Sequence, residues 1–514
     1  MSASPQILQD HTNEGWVGYS DFGAAGDGVT DDLQAIVDTH AYANEHNLSV
    51  RADDRATYYI GAGASTAMVQ TSTTFGTARF VIDDTAVADR EAPVFEVRSK
   101  LEPVSFERTA LRTITQLSRG QQSLPVTLPS PCLIIAADDQ VRHFIRWGAN
   151  QNDGAPQKDV FSISPDGAVD PADPIVWDFE RISSLVALPI DSEVLRITGG
   201  RFTTIANRAE SQYTYYDRNI VVRRSNVVVE GLSHNITGEQ DHGAPYAGFL
   251  KIAQCANVTV KDCRFTGHRT YSTIGAAGVP VSMGSYDISV ADALDVSFVN
   301  CEQTNDINDT TYWGLFGSNY CKNILLDGCT FSRFDAHQGV YNVTIRNSNL
   351  GHMGIHAIGE GTITVENTRV LGKSFIHLRP DYGSTWHGDV VVRNCSFQPR
   401  AGQPSTCVLI EGVNLGQHDF GYHCSMPERI TIDGLEIDDS CHPTDDPGPA
   451  IFADFNPDRT DDSYHDQYPY VITKEVLLND VTTSSGRQLR LSDNPYMFRD
   501  VKITRVSGRA CDVG

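Results

Sequence analysis

A short pattern of apolar and polar residues recurs along the chain from about residue 195 onwards. The segments NILLDGCTF, which begins at Asn323, and NVTIRNSNL, which begins at Asn342, show it twice at close spacing. When the first apolar residue is numbered zero, position +2 is apolar, position +3 is mostly polar, and position +4 is Gly, Asn or Asp. The pattern starts at Leu195, Val227, Val258, Val296, Ile324, Val343, Ile363, Val390, Ile430, Val476 and Val501.

This alternation predicts a β-strand, then a residue that tolerates a left-handed backbone, then a second short strand. Arg505 is the clear exception at position +4. The starts are 19 to 46 residues apart, and a fixed element with variable insertions is typical of a solenoid, in which each coil contacts only its neighbours. A β-propeller would have a more constant period, and a leucine-rich repeat would have fixed Leu spacing, so we predict a parallel β-helix of roughly a dozen coils.

Cysteines support this interpretation because several share one position of the repeat. The chain has 11 cysteines and no pair with zinc-like CxxC spacing. Four of them occupy position +5, where an inward side chain is expected, namely Cys263, Cys301, Cys329 and Cys395. A free cysteine behaves as a small buried hydrophobe, so we expect these four to form an interior ladder without a metal or a catalytic role.

The N-terminal part begins differently, with the sequence YSDFGAAGDGVTDD from Tyr19 to Asp32. A helical pattern follows, with Leu33 and Ile36 on one face. We expect Thr30 to be the N-cap and the helix to end near Asn47. One strand, LSVRADDRATYYI, is expected to follow the helix.

The run DFGAAGDGVTDD and the helix behind it resemble the opening of the pectate-lyase-like right-handed parallel β-helix superfamily. That superfamily includes polysaccharide lyases, glycoside hydrolases and phage tailspikes. The resemblance implies an all-β fold, a right-handed single-stranded parallel β-helix with an N-terminal capping helix. It implies a carbohydrate-active protein without identifying a family within the group.

Three regions are expected along the chain. Residues 1–62 would form the N-terminal cap and the entry to the β-helix. Residues 63–190, in which no clean repeat is visible, would form early coils with insertions and a protruding subdomain. Residues 191–514 would form regular coils with groove-forming loops.

Composition and charge narrow the range of partners. The net charge of −25 argues against nucleic acid or an anionic membrane, because binding to phosphate needs a basic surface. No apolar run approaches 18 residues, so no membrane insertion is expected. The N-terminus lacks a signal-peptide pattern; the protein is expected to be extracellular or periplasmic if a signal was removed, and cytoplasmic otherwise. No cofactor is expected; Ca²⁺ stays an open alternative, although no clear site for it is visible.

Candidate functional residues cluster in the middle of the repeat region. On a β-helix, side chains of successive coils line up about 4.8 Å apart on an outer face. Lys251 and His356 precede their repeat starts by seven residues and His337 by six, so we expect them to share one face. The catalytic candidates are His337, His356, Asp335, Lys251 and Arg269. The substrate-binding candidates are His268, Tyr271, Trp313, Gln338, Glu360, His377, Arg379 and Tyr382.

The first hypothesis for these residues is a polysaccharide lyase that acts at a uronic acid. Such an enzyme needs a cation to neutralise the carboxylate, a base to remove the C5 proton and an acid for the leaving oxygen. Imidazole titrates near neutral pH, which suits it to proton transfer. The candidates for the three roles are Lys251, Arg269 and Arg379 as cations, His337 and His356 as bases, and Tyr271 or another histidine as the acid.

Two alternatives stay open. A glycoside hydrolase would use two carboxyl groups, about 5–5.5 Å apart for retention and about 6.5–9.5 Å apart for inversion. Its candidates are Asp335 paired with Glu360, Asp306, Asp309 or Asp381. A non-catalytic glycan-binding spike or adhesin would need only an aromatic face such as Tyr271 and Trp313. The partner in every case is a polysaccharide or oligosaccharide, bound by a monomer or homotrimer.

The segment 334–339 lies between two repeats at the tightest spacing in the chain. That spacing leaves little room for a loop, so we expect Asp335, His337 and Gln338 to be held on the β-helix itself. Rigid placement suits catalytic side chains.

Overall fold

A computed structural model describes residues 5–505, apart from position 88, position 315 and the segments 106–112, 211–213, 240–242, 401–406 and 442–446. Most strands belong to one 29-stranded sheet, and their pairings within it are parallel. Each strand pairs with its counterpart one coil later, so the sheet closes into a parallel β-helix with three ladders of strands. The expected all-β, parallel β-helix fold is therefore confirmed.

The first ladder carries the repeated pattern. Its strands, some of which continue into the other ladders, are Trp16–Gly18, Ser49–Arg51, Thr73–Asp83, Leu195–Ile205, Val227–Glu230, Ala256–Lys261, Leu294–Val299, Lys322–Asp327, Thr330–Arg346, Asn349–Glu366, Trp386–Pro399, Arg429–Ile437, Glu475–Thr483 and Lys502–Arg505.

The other two ladders complete each coil. The second ladder adds the strands Asp27–Asp31, Thr57–Ile60, Ser233–Thr237, Arg264–Phe265, Glu302–Gln303 and Arg369–Gly372. The third ladder adds Ala67–Val69, Phe95–Arg98, Ile220–Arg223, Leu250–Ala253, Ile288–Ala291, Phe316–Asn319, Ser374–Leu378, Val408–Glu411 and Ala450–Phe452.

The register of the first ladder confirms the repeat for ten of its eleven starts. Each start from Leu195 to Ile430 pairs directly with the next one along the chain. The eleventh start is wrong, because Val476 pairs with Ile503 and not with Val501. The last coil is therefore displaced by two residues, which explains why Arg505 broke the rule for position +4.

The corner after each first-ladder strand has the left-handed backbone that the sequence predicts. All ten residues at position +4 have positive φ, from 47° at Asn367 to 80° at Gly434. Asn, Asp and Gly tolerate this region, whereas other residues pay a steric penalty for it. This corner turns the chain from the first ladder into the second.

The core is a continuous stack of inward side chains. Cys263, Cys301, Cys329 and Cys395 are buried and unbridged in this stack, as expected. Phe80 and Phe202 stack in successive coils with ring centroids 4.6 Å apart. The cysteines therefore fill the interior.

Beyond the strands, the residues that the structure describes form two α-helices and two short 3-10 helices. The α-helices are Pro5–Asn13 and Leu33–His46, and the 3-10 helices are Tyr19–Phe22 and Pro380–Tyr382. Leu33–His46 packs against the strands Trp16–Gly18 and Ala67–Val69 of the first coils. None of the described helices is long and apolar enough to cross a membrane.

The start of the second α-helix differs from the expectation. Thr30 is not the N-cap, because its hydroxyl donates to Asp27 at 2.9 Å and the helix begins at Leu33. Asp32 occupies the cap position, and its carboxylate accepts from the backbone of Ala25 at 2.6 Å and Gly26 at 3.2 Å. The carboxylates of Asp27 and Asp32 therefore hold the loop before this helix in place. The helix ends at Asn47, as expected.

The segment after this helix is also different, because it forms two strands where one was expected. Ser49–Arg51 joins the first ladder and Thr57–Ile60 the second. Between them, Asp53 accepts from the Ser20 hydroxyl at 2.6 Å and from the Tyr58 hydroxyl at 2.6 Å. These bonds, with the left-handed backbone of Arg55, make a corner.

An insertion, residues 104–189, interrupts the β-helix between Phe95–Arg98 and Leu195–Ile205. Its strands form a four-stranded antiparallel sheet with its own apolar core and are Val104–Ser105, Cys132–His143, Ala155–Ile163 and Ser184–Pro189. Lys322 of the β-helix makes a buried ion pair of 2.8 Å with Asp159 of the insertion. The insertion therefore packs directly on the outside of the coils.

Two small strand pairs lie outside these sheets. One is a hairpin formed by Tyr271–Ile274 and Pro280–Met283. The other is a parallel pair formed by Cys424–Ser425 and Tyr470–Val471.

We predict that Asn367→Val lowers the unfolding free energy by about 1–2 kcal/mol relative to Asn367→Gly, because only the β-branched side chain is strained at φ 47°. Both variants remove the same side-chain amide, so the comparison isolates the backbone. Denaturant unfolding measures the difference. Asn349→Val, at an exposed strand position in the preceding turn, is the matched control. Equal stabilities for Asn367→Val and Asn367→Gly would contradict the strain at this corner.

Candidate functional site

Outward side chains of the third ladder form a single row across successive coils. Strand pairing places each member directly beside the next, and their chain neighbours point into the apolar core. The row, from the N-terminal to the C-terminal side, is Lys251, Ser289, Gly317, Asp335, His356, His377 and Glu411. The expected alignment of Lys251 with His356 is therefore present, whereas His337 lies two residues beyond the row.

A groove of about 680 Å³ lies over this row. Its lining combines charged, imidazole and aromatic side chains from the coils with residues of the hairpin and the insertion. The lining side chains that carry chemistry are Arg146, Lys251, Arg333, Arg379, Asp381, His337, His356, His377, Tyr246, Tyr286 and Trp313. Asp335 is fully buried beneath them.

Glycine makes room for the large side chains of the groove floor. A Cβ atom on Gly317, in the row itself, would lie 2.9 Å from ring carbons of Tyr286. A Cβ atom on Gly314 would collide with the side chain of Arg333. These two positions therefore allow Tyr286 and Arg333 to lie across the ladder.

Arginines and aspartates alternate along the groove floor. Asp335 Oδ2 accepts from Arg333 Nη2 at 2.6 Å, from Arg379 Nη1 at 2.8 Å and from the Tyr286 hydroxyl at 2.6 Å. Arg379 also makes a two-pronged contact with Asp381, at 2.9 and 3.2 Å. Charge-assisted bonds of this kind fix the positions of the guanidinium groups.

The insertion supplies the last residue of this alternating series of arginines and aspartates. Arg146 Nε donates to Asp381 Oδ2 at 2.9 Å, and the backbone N–H of Trp147 donates to the Asp381 carbonyl at 2.9 Å. Asp381 therefore joins Arg379 of the β-helix to Arg146 of the insertion. The groove is a composite of both units.

Both aspartates are held in the ionised form. Burial opposes ionisation of Asp335, but the guanidinium groups of Arg333 and Arg379 lower its pKa to about 2. Burial likewise opposes ionisation of Asp381, but Arg379 and Arg146 lower its pKa to about 2. Neither carboxyl group carries a proton at neutral pH.

His337 lies in a bulge of the third ladder. Ala336 pairs with Ser318, and Gln338 pairs with Asn319, so His337 is left over between them. Bulges of this kind re-aim a side chain. The ring Nδ1 lies 2.8 Å from the Asn319 amide oxygen, which only accepts, so Nδ1 carries the proton and Nε2 has a free lone pair. Burial and the nearby Arg379 lower the pKa of His337 to about 3.

His356 has the opposite arrangement of its ring nitrogens. Arg333 Nη2 donates to His356 Nδ1 at 3.0 Å, so the proton of the neutral ring lies on Nε2. Burial and the charge of Arg333 hold the pKa of His356 well below its ordinary value. Between the two histidines, His337 therefore has the nitrogen that can accept a proton.

The row ends in a second ion-paired group. His377 Nδ1 lies 2.9 Å from Glu411, which also pairs with Lys373. Burial opposes ionisation of Glu411, but its bonds to His377 and Lys373 lower its pKa to about 2. The rings of His356 and His377 are 4.6 Å apart.

The structure brings together only part of the set that the sequence suggested. Lys251, Trp313, His337, His356, His377 and Arg379 line the groove. Lys251 also pairs with Asp217 at 2.9 Å. Gln338 and Tyr382 are hydrogen-bonded to each other at 3.2 Å beside the groove.

Four candidates lie away from the described groove lining. Arg269 stacks on Tyr312 at 4.4 Å, and Tyr271 is buried at the start of the hairpin. His268 is buried between Asp287, at 3.0 Å, and Glu239. Burial opposes its protonation, but these two carboxylates raise the pKa of His268 to about 10. Glu360 pairs with Arg119 of the insertion.

The carboxylate pairs considered for a hydrolase are dispersed. Glu360 lies in register with Tyr341 and His387, outside the row that contains Asp335. Asp306 and Asp309 accept backbone N–H groups of their own loop. Asp381 alone adjoins Asp335, and Arg379 bridges the two.

Sequence reasoning missed four side chains of the groove, namely Arg146, Tyr246, Tyr286 and Arg333. Arg333 lies two residues before Asp335 on the same strand, and the period of two could have revealed it. Tyr286 precedes the strand Ile288–Ala291 without a recognisable pattern. Arg146 is 235 positions from Asp381 along the chain, and no local signal connects them.

Among the residues that the structure describes, no cluster of three or more His, Cys, Asp or Glu side chains could hold a metal ion.

We predict that Asp335→Asn lowers the unfolding free energy at pH 7 by about 2 kcal/mol, the worth of a pKa held near 2 instead of 3.8. Because the folded-state pKa is depressed, this contribution is present above about pH 4 and is lost as the pH falls towards 2. The difference between wild type and variant should therefore shrink over that range.

Thermal and denaturant unfolding at pH 7 and pH 2.5 measure the effect of Asp335→Asn. Asp433→Asn, at an exposed position of the first ladder, is the control and should change little at either pH. A difference for Asp335→Asn that stays constant with pH would contradict the ionised state of Asp335.

Comparisons with known proteins gave only structural likenesses. No family model and no curated protein sequence matches the chain. The tailspike protein gp49 of Pseudomonas phage LKA1 is 12% identical, with 95% of this chain and 84% of that chain covered and a TM-score of 0.49. The Gp54 tailspike of Acinetobacter baumannii bacteriophage AP22 is 10% identical, with 96% and 80% covered and a TM-score of 0.46. The surface adhesin PfbA of Streptococcus pneumoniae is 13% identical, with 96% and 92% covered and a TM-score of 0.39. Likenesses this distant assign no activity to this chain.

Proposed function

We propose that the third-ladder groove binds an acidic polysaccharide and cleaves it by β-elimination at a uronic acid residue. The observation that carries this proposal is the concentration of cations in the groove. Four cationic side chains line the groove, namely Arg146, Lys251, Arg333 and Arg379. They pair with only three carboxylates, those of Asp217, Asp335 and Asp381. On a chain with a net charge of −25, a local cationic surface favours an anionic ligand.

Aromatic side chains support a sugar as that ligand. Trp313, Tyr246 and Tyr286 line the same groove, and sugar rings offer apolar faces to such side chains and hydroxyls to polar ones. Arg333 lies over the ring of Trp313, 5.4 Å from its centroid. Aromatic and guanidinium groups are therefore presented side by side, as a uronate residue requires.

The proposed chemistry depends on which ring nitrogen carries the proton in His337 and in His356. An arginine of the groove neutralises the uronate carboxylate, which acidifies the proton on C5. His337 Nε2 takes that proton while the C4–O bond breaks and the C4=C5 double bond forms. The leaving oxygen then takes the proton from the His337 imidazolium, so the base is regenerated and no other reactant is needed. His356 positions Arg333 through its hydrogen bond.

Hydrolysis by a carboxylate pair has less support. A glycosidase needs one carboxylic acid that still holds a proton, whereas the pKa values of Asp335 and Asp381 are both about 2. Arginines bind one oxygen of Asp335 and both oxygens of Asp381. A glycan-binding role without cleavage is the alternative if no product forms.

We predict that incubation with a panel of uronate-containing polysaccharides releases products that absorb in the ultraviolet, because β-elimination leaves an unsaturated sugar end. His337→Ala should lower kcat by roughly 10²–10⁴-fold, the usual contribution of general acid–base catalysis. His356→Ala should have a smaller effect, through Arg333. His387→Ala, a histidine with a side chain 60% exposed outside the groove, is the matched control.

Other outcomes of this assay separate the alternatives. New reducing ends without ultraviolet absorbance would indicate hydrolysis. Binding without any product would indicate a glycan-binding protein. Full activity in both His337→Ala and His356→Ala would show that the site is wrong.

We predict that kcat/KM falls on the acidic side near pH 3 and not near pH 6.5, because His337 of the free enzyme stays unprotonated down to its lowered pKa of about 3. Asn319→Asp should move this acidic limb to higher pH, since a carboxylate beside Nδ1 favours the imidazolium. The pH profile of kcat/KM measures both. An acidic limb near 6.5 in the wild type, or one that Asn319→Asp leaves in place, would contradict His337 as the base.

A further inference from the structure

A second, smaller concavity lies next to the groove, on the far side of the insertion segment 145–147. It has a volume of about 330 Å³, which is within the range of small-ligand sites. We call it the distal trough. Its lining includes Asn414, His418, Phe420, His423, Tyr468 and Pro469.

The segment 145–147 borders both concavities at once. On the side of the trough, the Ile145 N–H donates to the Phe420 carbonyl at 3.1 Å, and a ring nitrogen of His418 lies 3.1 Å from the Ile145 carbonyl. On the side of the groove, Arg146 and the backbone of Trp147 bind Asp381. These bonds hold the segment in place between the two sites.

Two aromatic side chains of the segment 145–147 and the distal trough are exposed. Trp147 is 45% exposed at the junction, and Tyr468 is 37% exposed in the trough. Single exposed apolar residues are common and need no explanation. Trp147 differs because its backbone binds Asp381 of the groove lining, and because Ile145, two residues before it, binds Phe420 and His418 of the trough lining.

The lining of the trough indicates what kind of sugar residue would fit. Its described residues include His418, His423 and Asp419 but no lysine or arginine. It therefore suits the apolar face and hydroxyls of a sugar ring better than a second carboxylate.

We infer that the distal trough is a further subsite, reached over Trp147, for the continuation of the polysaccharide chain bound in the groove. In this arrangement, the uronate residue lies among the arginines of the groove. Trp147 stacks on a sugar ring between the two sites, and an uncharged sugar residue occupies the distal trough. This inference rests on the proposed function. Oligosaccharides long enough to occupy both sites then bind more tightly than short ones.

The test uses an array of size-fractionated oligosaccharides, from disaccharides to dodecasaccharides, prepared from the same uronate-containing panel. His337→Ala is the background in all proteins, so that the chains stay intact. Affinity should rise with chain length. Adding Trp147→Ala or Tyr468→Ala should weaken the binding of long chains about two- to tenfold, as expected for one aromatic contact, and leave the shortest bound chains unchanged.

Val194→Ala, at an exposed apolar position outside both sites, is the control, and equal melting temperatures establish that the variants are folded. Binding without any dependence on length, or a length dependence that neither aromatic variant reduces, would overturn the distal trough and leave the proposed function intact. The absence of binding to every acidic chain would overturn both.

Discussion

The left-handed corner between the first and second ladders is the constraint on which the rest of the structure depends. A residue with positive φ at position +4 turns the chain at the same place in coil after coil. Because the corner recurs at a fixed distance from each start, the first-ladder strands of successive coils pair start to start. In a sheet, a slip of one residue would exchange the inward and outward side chains. The row from Lys251 to Glu411 likewise requires that the third-ladder strands keep their outward residues beside one another.

Buried charge is the second feature that shapes the groove. Moving Asp335 and the guanidinium groups of Arg333 and Arg379 out of water is costly, and pairing compensates for the cost only when geometry and hydrogen bonding are good. Here each aspartate is shared between two arginines. Removing Asp335 would leave Arg333 without a carboxylate partner, whereas Arg379 would keep its pair with Asp381. Such a network contributes more to fixing the positions of the groups than to overall stability.

Most of the fold was accessible from the sequence, because the β-helix repeats one short pattern. Position +4 identified the corner, and position +5 identified the interior cysteines. The errors occurred where side chains decide local structure. At Thr30 the carboxylate of Asp27 binds the hydroxyl that was expected to cap the helix, and Asp32 takes the cap position without a side-chain cap bond. At the last coil only one further strand was available to fix the register, and the prediction slipped from Ile503 to Val501.

The candidate site was only partly accessible, for a related reason. Residues that share the row were found through their offset from the repeat, as Lys251 and His356 were. His268 and Arg269 sit in another part of the coil, and a count along the chain does not distinguish that position from the row. The choice between His337 and His356 depends on which ring nitrogen each neighbour occupies, and no sequence pattern encodes that.

The place of the insertion in the chain has a consequence for biosynthesis. Residues 104–189 leave the ribosome well before Lys322, Asp381 and Phe420, to which they bind in the finished protein. With its own core, the insertion can fold early, but it has no surface to dock on until the later coils have stacked. Coil stacking adds one unit to the next, whereas joining Arg146 to Asp381 closes a loop of 235 residues and is entropically costly. The composite groove is therefore among the last features to form, and a nascent chain passes through a long stage in which the β-helix grows without an assembled site.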